Sequence, residues 1–194
     1  MSLKIKLFSS LLILFSLYSF TQSEILISDS LKKIKFQSKS ILLKNTTPEN
    51  VFIYIDQMGN TGAHMKKRSM AMMGSKLVLS QLSENAVGLN SKYNWKGRVL
   101  GFKMDFTVVT SKWESNKEKV WGTVGEAKMI ILEWYQMQLL ITKVGEDTLV
   151  DLSIKYTKPR KFFFRSIGFI LAKPYAKWCL KNMLQDTKIH FESI

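Results

Sequence analysis

Residue types that carry out covalent catalysis are scarce in this 194-residue chain. It has two histidines, His64 and His190, and one cysteine, Cys179. A serine, threonine or cysteine nucleophile needs a nearby base, so few catalytic pairs can form. The sequence also has no Gly-x-Ser-x-Gly elbow, phosphate-binding loop, dinucleotide fingerprint or zinc signature, and Asp56 and Asp105 have no spacing typical of a catalytic dyad. Nothing here requires an enzyme, and we expect no metal and no cofactor.

One carboxylate has a position suited to acid chemistry. In residues 129–143 the apolar side chains take the odd positions, and this alternation would carry Glu133 onto the apolar face of a strand. A buried carboxylate must be paired or neutral, so Glu133 is a weak candidate for binding a ligand hydroxyl or acting as an acid. If a bulge intervenes, Glu133 points to water, which is the interpretation we favour.

Residues 59–74 are predicted to form a methionine-rich loop. Methionine lines adaptable apolar sites, so the loop could be the lid of a cavity. One histidine with several thioethers could also hold Cu(I) in an exported protein. The plainest interpretation is that the methionines fill a gap beneath the loop. The residues concerned are His64, Met65, Met70, Met72 and Met73.

Large side chains recur on the predicted inner face of the central strands. Several carry a polar atom into an otherwise apolar lining, as is typical of small-molecule sites. The same residues also fit an ordinary core. The ligand-binding candidates are Tyr93, Trp95, Met104, Phe106, Trp121, Tyr135 and Met137, with Met70 and Met73 from the loop.

The chain is strongly basic, with a net charge of +14, which favours an anionic environment. A basic and aromatic cluster precedes the last predicted helix, and this composition is typical of an interfacial membrane contact. A solvated face over three core phenylalanines fits equally well. Nucleic acid is not an expected partner, because no stacking platform for single strands is evident. The membrane-contact candidates are Lys158, Arg160, Lys161, Phe162, Phe163 and Arg165.

The N-terminus has the pattern of a secretory signal. Lys4 and Lys6 precede a short apolar run that is followed by small residues near Ser23. We predict a signal peptide over 1–23, with an uncleaved anchor as the alternative, a linker over 24–34 and one domain over 35–194. The domain is therefore expected outside the cytoplasm, in the periplasm or cell envelope. Cys179 cannot form a disulfide within the chain, so packing alone must stabilise the domain.

Short alternating runs predict antiparallel strands in residues 35–44 and across most of 76–158, with a bulge near residues 109–113. Thr47 and Pro48 are typical of a helix start, with Gly59 as its end. An amphipathic pattern after residue 162 predicts a long C-terminal helix in which Pro174 introduces a kink or starts a second helix. This order predicts an α+β helix-grip fold: a curved antiparallel sheet of six to seven strands around a long C-terminal helix, with a short helical segment after the first strand.

Five stretches of sequence form a recognisable set: PENVF at 48–52, GNTGAHM at 59–65, YNWKG at 93–97, MDFT at 104–107 and WCLKNML at 178–184. Together they resemble the SRPBCC superfamily, which includes the START, polyketide cyclase and lipid-transfer proteins. The resemblance covers roughly residues 35–191 and implies a hydrophobic cavity between sheet and helix. Members are carriers or enzymes, and the fold does not decide between them.

We therefore expect noncovalent binding of a hydrophobic small molecule or lipid. A protein that binds such a molecule could also transport it. The alternative is a cyclase- or dehydratase-like enzyme acting on an apolar substrate in the same cavity. A second alternative is a membrane-tethered interaction module with a filled core. An anionic membrane surface is the further partner expected from the basic residues.

Overall fold

A computed structural model describes residues 34–66, 74, 76–99 and 101–192. Within them, seven antiparallel strands form one sheet in the order β1-β7-β6-β5-β4-β3-β2. The predicted helix-grip fold is confirmed. The strands are β1 (Lys35–Leu43), β2 (Leu77–Gln81), β3 (Lys92–Val99), β4 (Phe102–Glu114), β5 (Glu118–Lys128), β6 (Trp134–Val144) and β7 (Asp147–Thr157). The helices are α1 (Pro48–Asp56), α2 (Met58–Thr61), α3 (Ala63–Lys66) and α4 (Phe162–Glu192).

The alternation of the strands follows the predicted phase. In β6, Tyr135, Met137, Leu139 and Ile141 are all buried, while the residues between them are not. This period-2 pattern leaves one face of the sheet for the core. The core therefore lies on the face that also receives α4.

The predicted bulge is confirmed in β4, where the register with β5 shifts between Thr110 and Lys112. Its position differs slightly from the prediction. Thr110 is still buried in the original phase and Val109 is not fully buried, so the pattern changes only after Thr110. A second irregularity lies between Asp105 and Thr107.

Helix α1 begins as predicted. Thr47 is the N-cap, its hydroxyl accepts a hydrogen bond from the Asn50 amide at 3.3 Å, and Pro48 takes the first helical position. Gly59 does not end this helix, because α1 stops at Asp56 and Gly59 lies inside α2. The predicted loop after Gly59 is helical as far as Lys66, in α2 and α3.

Helix α4 runs through Pro174 without starting a second helix. In the first half of this helix, small residues are buried more deeply than large ones. Phe164, Ile167 and Leu171 are only half-buried, whereas Ala172 and Ala176 are fully buried. Small residues on the buried face let the helix approach the sheet closely.

The predicted signal segment and nearly all of the predicted linker fall in residues 1–33, outside the described residues, and they stay predictions. Among the residues that the structure describes, no helix is long and apolar enough to cross a membrane.

Candidate functional site

An apolar cavity of about 60 Å³ lies between the sheet and α4. Three parts of the chain form its walls: strands β3 to β7, the segment 129–132, and helices α2, α3 and α4. The described lining contains no Asp, Glu, Lys or Arg side chain. A concave, mostly apolar site with a few polar groups is typical of small-molecule binding.

Methionine is the commonest residue of the described lining. It occurs six times, and its thioether and three rotatable bonds let it fill irregular space. The walls can therefore adapt in shape more easily than a lining of branched residues could. The six are Met58, Met65, Met104, Met129, Met137 and Met183.

Five predicted ligand-binding residues line the cavity. The alternating phase of strands β4, β5 and β6 brings them together on the inner face of the sheet. Met70 and Met73 lie outside the described residues, so their placement stays a prediction. The five are Met104, Phe106, Trp121, Tyr135 and Met137.

Tyr93 and Trp95 are buried in the core and are not part of the lining. The Tyr93 hydroxyl donates a hydrogen bond to the Ala86 carbonyl. The Trp95 ring packs against Gly62, where an added Cβ would lie 2.3 Å from the ring, so only glycine allows this close approach. Trp95 therefore supports the wall from behind, and Gly62 forms the wall itself.

Glu133 is not on the cavity wall. The strand predicted to begin at residue 129 begins at Trp134, and Ile130, Ile131 and Leu132 are buried one after another without alternation. This irregular segment turns Glu133 outward, where its carboxylate accepts a hydrogen bond from Arg160 Nε at 3.1 Å. Glu133 thus points outward, as in the interpretation that we favour from the sequence. Among its described contacts, none would let it act as an acid in the cavity.

The polar groups of the lining are uncharged. Burial lowers the pKa of the His64 imidazole to about 4, and it raises the pKa of the Cys179 thiol to about 12. Burial also raises the pKa of Tyr135 and Tyr175, and the neighbouring Cys179 thiol raises the pKa of Tyr175 further. At neutral pH these side chains can donate and accept hydrogen bonds, but Cys179 has no thiolate to act as a nucleophile.

A buried ion pair lies outside the cavity and was not expected from the sequence. Lys119 is 1% exposed, and its Nζ lies 2.6 Å from Asp56 Oδ1 without the alignment of a hydrogen bond. The same Nζ donates to the Asp56 carbonyl at 2.6 Å, and Trp113 Nε1 donates to Asp56 Oδ2 at 2.8 Å. The pair joins the end of α1 to β5.

The predicted membrane-contact residues are partly exposed. Arg160, Lys161 and Arg165 are exposed and Lys158 is half-buried, while the side chains of Phe162 and Phe163 lie outside the described part of the chain. Two apolar residues that were not predicted are also exposed on α4, Phe169 at 73% and Ile170 at 68%. Arg165, Phe169 and Lys173 are four residues apart in the sequence. On a helix this spacing places them on one face, so the sequence could have indicated their association.

No protein-family model and no curated protein matches this sequence. Solved structures are similar in fold. TTHA0849 from Thermus thermophilus has a TM-score of 0.57 and 15% identity over 82% of this chain and 98% of its own. The di-domain ARO/CYC StfQ from the steffimycin biosynthetic pathway has a TM-score of 0.60 and 8% identity over 86% of this chain and 54% of its own.

A third similar structure is truncated norcoclaurine synthase from Thalictrum flavum. It has a TM-score of 0.53 and 12% identity, and the match covers 82% of this chain and 94% of the synthase. At such identities the comparisons concern the fold alone. These comparisons confirm the helix-grip fold, which is the fold that the resemblance noted in the sequence implies.

Proposed function

We propose that this protein binds an uncharged apolar small molecule noncovalently in the cavity between the sheet and α4. The observation that carries the proposal is an adaptable, methionine-rich cavity without a charged side chain in its described lining. Burial of the ligand's apolar surface would supply most of the affinity, at roughly 25 cal/mol per Å². At about 60 Å³ the cavity favours a compact ligand unless the methionines move aside.

An enzyme acting on an apolar substrate in the same cavity is the competing function. Norcoclaurine synthase and the di-domain ARO/CYC have this fold, which keeps the alternative open. It has less support, because the described lining contains no carboxylate and Glu133 is paired with Arg160 outside it. We expect Glu133→Gln to leave both ligand binding and any turnover unchanged.

Filling the cavity should abolish binding. Val99 lines the cavity, and Val78 is 59% exposed on β2, so Val99→Phe and Val78→Phe are a matched pair. The uncharged dye N-phenyl-1-naphthylamine has three aromatic rings, so its entry needs the methionines to move aside, and we expect it to bind the native chain with a stoichiometry of one. Val99→Phe should weaken binding at least about tenfold, because the added ring takes the space of the ligand.

Fluorescence titration of the dye, with the melting temperature measured alongside, gives the result. Val78→Phe should bind like the native chain. Unsaturable binding by the native chain would contradict the proposal, and equal binding by a folded Val99→Phe would show that the dye binds elsewhere.

We also propose that one face of α4 docks on an anionic membrane, and that the domain is exported behind the predicted signal segment. Arg165, Phe169 and Lys173 follow one another at four-residue spacing, and Lys158 Nζ lies 4.3 Å from the centre of the Phe169 ring. Basic residues around exposed apolar ones are typical of interfacial contacts. Helix α4 also contributes Tyr175 to the cavity, so docking would bring lipid close to the site.

Removing the three charges of this face should release the protein from anionic vesicles. Each Lys or Arg near such a surface contributes about 1 kcal/mol, so changing Lys158, Arg165 and Lys173 to Gln should weaken binding about a hundredfold. The measurement is cosedimentation with vesicles of phosphatidylglycerol and phosphatidylcholine. The control changes Lys39, Lys76 and Lys92, which are exposed outside α4, to Gln.

Equal losses in the two triple variants would mean that net charge, and not this face, governs binding. Equal binding of the native protein to pure phosphatidylcholine vesicles would contradict an electrostatic contact. Either result would leave the cavity proposal in place, because the dye titration needs no membrane.

A further inference from the structure

His64 is the one histidine on the described cavity wall, and its ring is left without hydrogen bonds. It lies on α3, is 6% exposed, and among the described residues neither Nδ1 nor Nε2 has a hydrogen-bond partner. The Thr61 carbonyl lies near enough to raise the pKa of His64 slightly, but without hydrogen-bond geometry. A buried polar atom without a partner destabilises the folded state, so an unpaired buried imidazole needs an explanation.

The ring is nevertheless held in place. Its edge contacts the Trp178 ring, with the ring centres 5.0 Å apart and the planes at 78°. Since burial keeps the imidazole neutral at pH 7, one nitrogen donates a hydrogen bond and the other accepts one. The wall therefore holds a neutral imidazole with one donor and one acceptor, and neither has a partner among the described residues.

Several other polar groups of the wall have close polar neighbours. The Thr61 hydroxyl is 3.4 Å from both the Gln57 and the Met58 carbonyl oxygens, and Tyr175 lies beside Cys179. Among the fully buried polar side-chain atoms of the described lining, the two ring nitrogens of His64 are the ones without a partner. His64 is therefore the buried group of the wall that most needs a polar partner.

A hydroxyl group fits this anchor better than an ionised group does. A hydroxyl can either donate or accept, so it can pair with a ring nitrogen in either tautomer of the neutral imidazole. A carboxylate or phosphate would lose its hydration without meeting a cation, because no lysine or arginine is part of the described lining. The chemical class indicated is therefore an uncharged alcohol or phenol with an apolar body.

We propose that His64 binds the hydroxyl group of an uncharged apolar ligand and so sets both its orientation and its chemical class. This inference rests on the proposed cavity function and adds a residue and a ligand class to it. A ligand without the hydroxyl would leave the imidazole unpaired, which is how a polar group in an apolar site discriminates between analogues.

The test uses three rigid probes of nearly the same shape: naphthalene, 2-naphthol and 2-naphthoate. Their affinities for the full chain are measured at pH 7 by displacement of N-phenyl-1-naphthylamine. In His64→Phe, which keeps a ring against Trp178, the affinity ratio of 2-naphthol to naphthalene should fall about tenfold. The matched control is His190→Phe, because His190 is exposed, stacks on Tyr54 and is not part of the lining.

A second measurement does not depend on the folding of the variant. In the native protein, 2-naphthol should shift the imidazole nitrogen resonances of His64 and leave those of His190 unchanged. Naphthalene should shift neither set by a comparable amount.

The possible failures are distinguishable. If no probe displaces the dye, the cavity proposal itself is wrong. If the probes bind but the affinity ratio is the same in His64→Phe, or if the His64 resonances do not respond to 2-naphthol, the cavity stands and the role of His64 is wrong. Tightest binding of 2-naphthoate would overturn the assignment of an uncharged ligand.

Discussion

Replacing Asp56 by Asn is expected to lower the free energy of unfolding by about 3 to 5 kcal/mol, which is typical when one partner of a buried ion pair is removed. Lys119 would keep its cation in the core, with the Asp56 carbonyl still accepting its hydrogen bond. Burial already lowers the pKa of Lys119, and the Asp56 carboxylate opposes that effect. Urea unfolding of the variant and the native chain measures the loss.

A matched Asp-to-Asn substitution at the surface serves as the control. It shows how much stability is lost through the change of side chain when no buried ion pair is broken. Asp105 lies 4.0 Å from Lys103, which is 69% exposed, and it accepts a hydrogen bond from Asn94 at 3.0 Å. An asparagine keeps an oxygen that can accept from Asn94, so Asp105→Asn should cost less than about 1 kcal/mol. Adding Lys119→Met to Asp56→Asn should restore part of the loss, because the unpaired cation disappears. Equal losses in the two Asp→Asn variants would contradict a specific role for the pair.

Acid should destabilise the native protein more than the His64→Phe variant. The pKa of His64 is about 4 in the folded protein and 6.5 in the unfolded chain, so the folded state binds fewer protons. This contribution to stability is fully present above pH 6.5 and is lost as the pH falls towards 4. Between pH 7 and pH 4 the native protein should lose about 3 kcal/mol more than the variant.

The difference between the two proteins isolates His64, because the other titrating groups are common to both. Urea unfolding of both proteins at several pH values gives this difference directly. A constant difference from pH 7 to pH 4 would mean that His64 is not held neutral by burial.

Much of the fold could be predicted because alternation is local. In β6 the buried positions Tyr135, Met137 and Leu139 follow from the spacing of apolar residues alone. The start of α1 at Thr47 and Pro48 follows from the chemistry of a helix cap in the same way. The five cavity residues could be predicted because alternate residues of a strand lie on the same face of the sheet. This holds without any knowledge of the long-range contacts.

The positions that were missed depend on distant parts of the chain. Lys119 stands at a strand position where the alternating pattern expects an apolar residue. Only the folded structure places Asp56 beside it. Glu133 was uncertain because the irregular segment before β6 packs three consecutive apolar residues inward, which no alternation describes. His64 was assigned to a loop, whereas α3 and Trp178 together hold its ring at the cavity.

The six methionines of the cavity also make it sensitive to oxidants. Each thioether can become a sulfoxide, which is polar and needs a hydrogen-bond donor that an apolar wall does not offer. Sulfoxides in the wall would weaken the binding of an apolar ligand. A ligand that is already bound would exclude peroxide and so protect the thioethers. The concentration of oxidants around the protein would thus limit the time for which the cavity remains apolar.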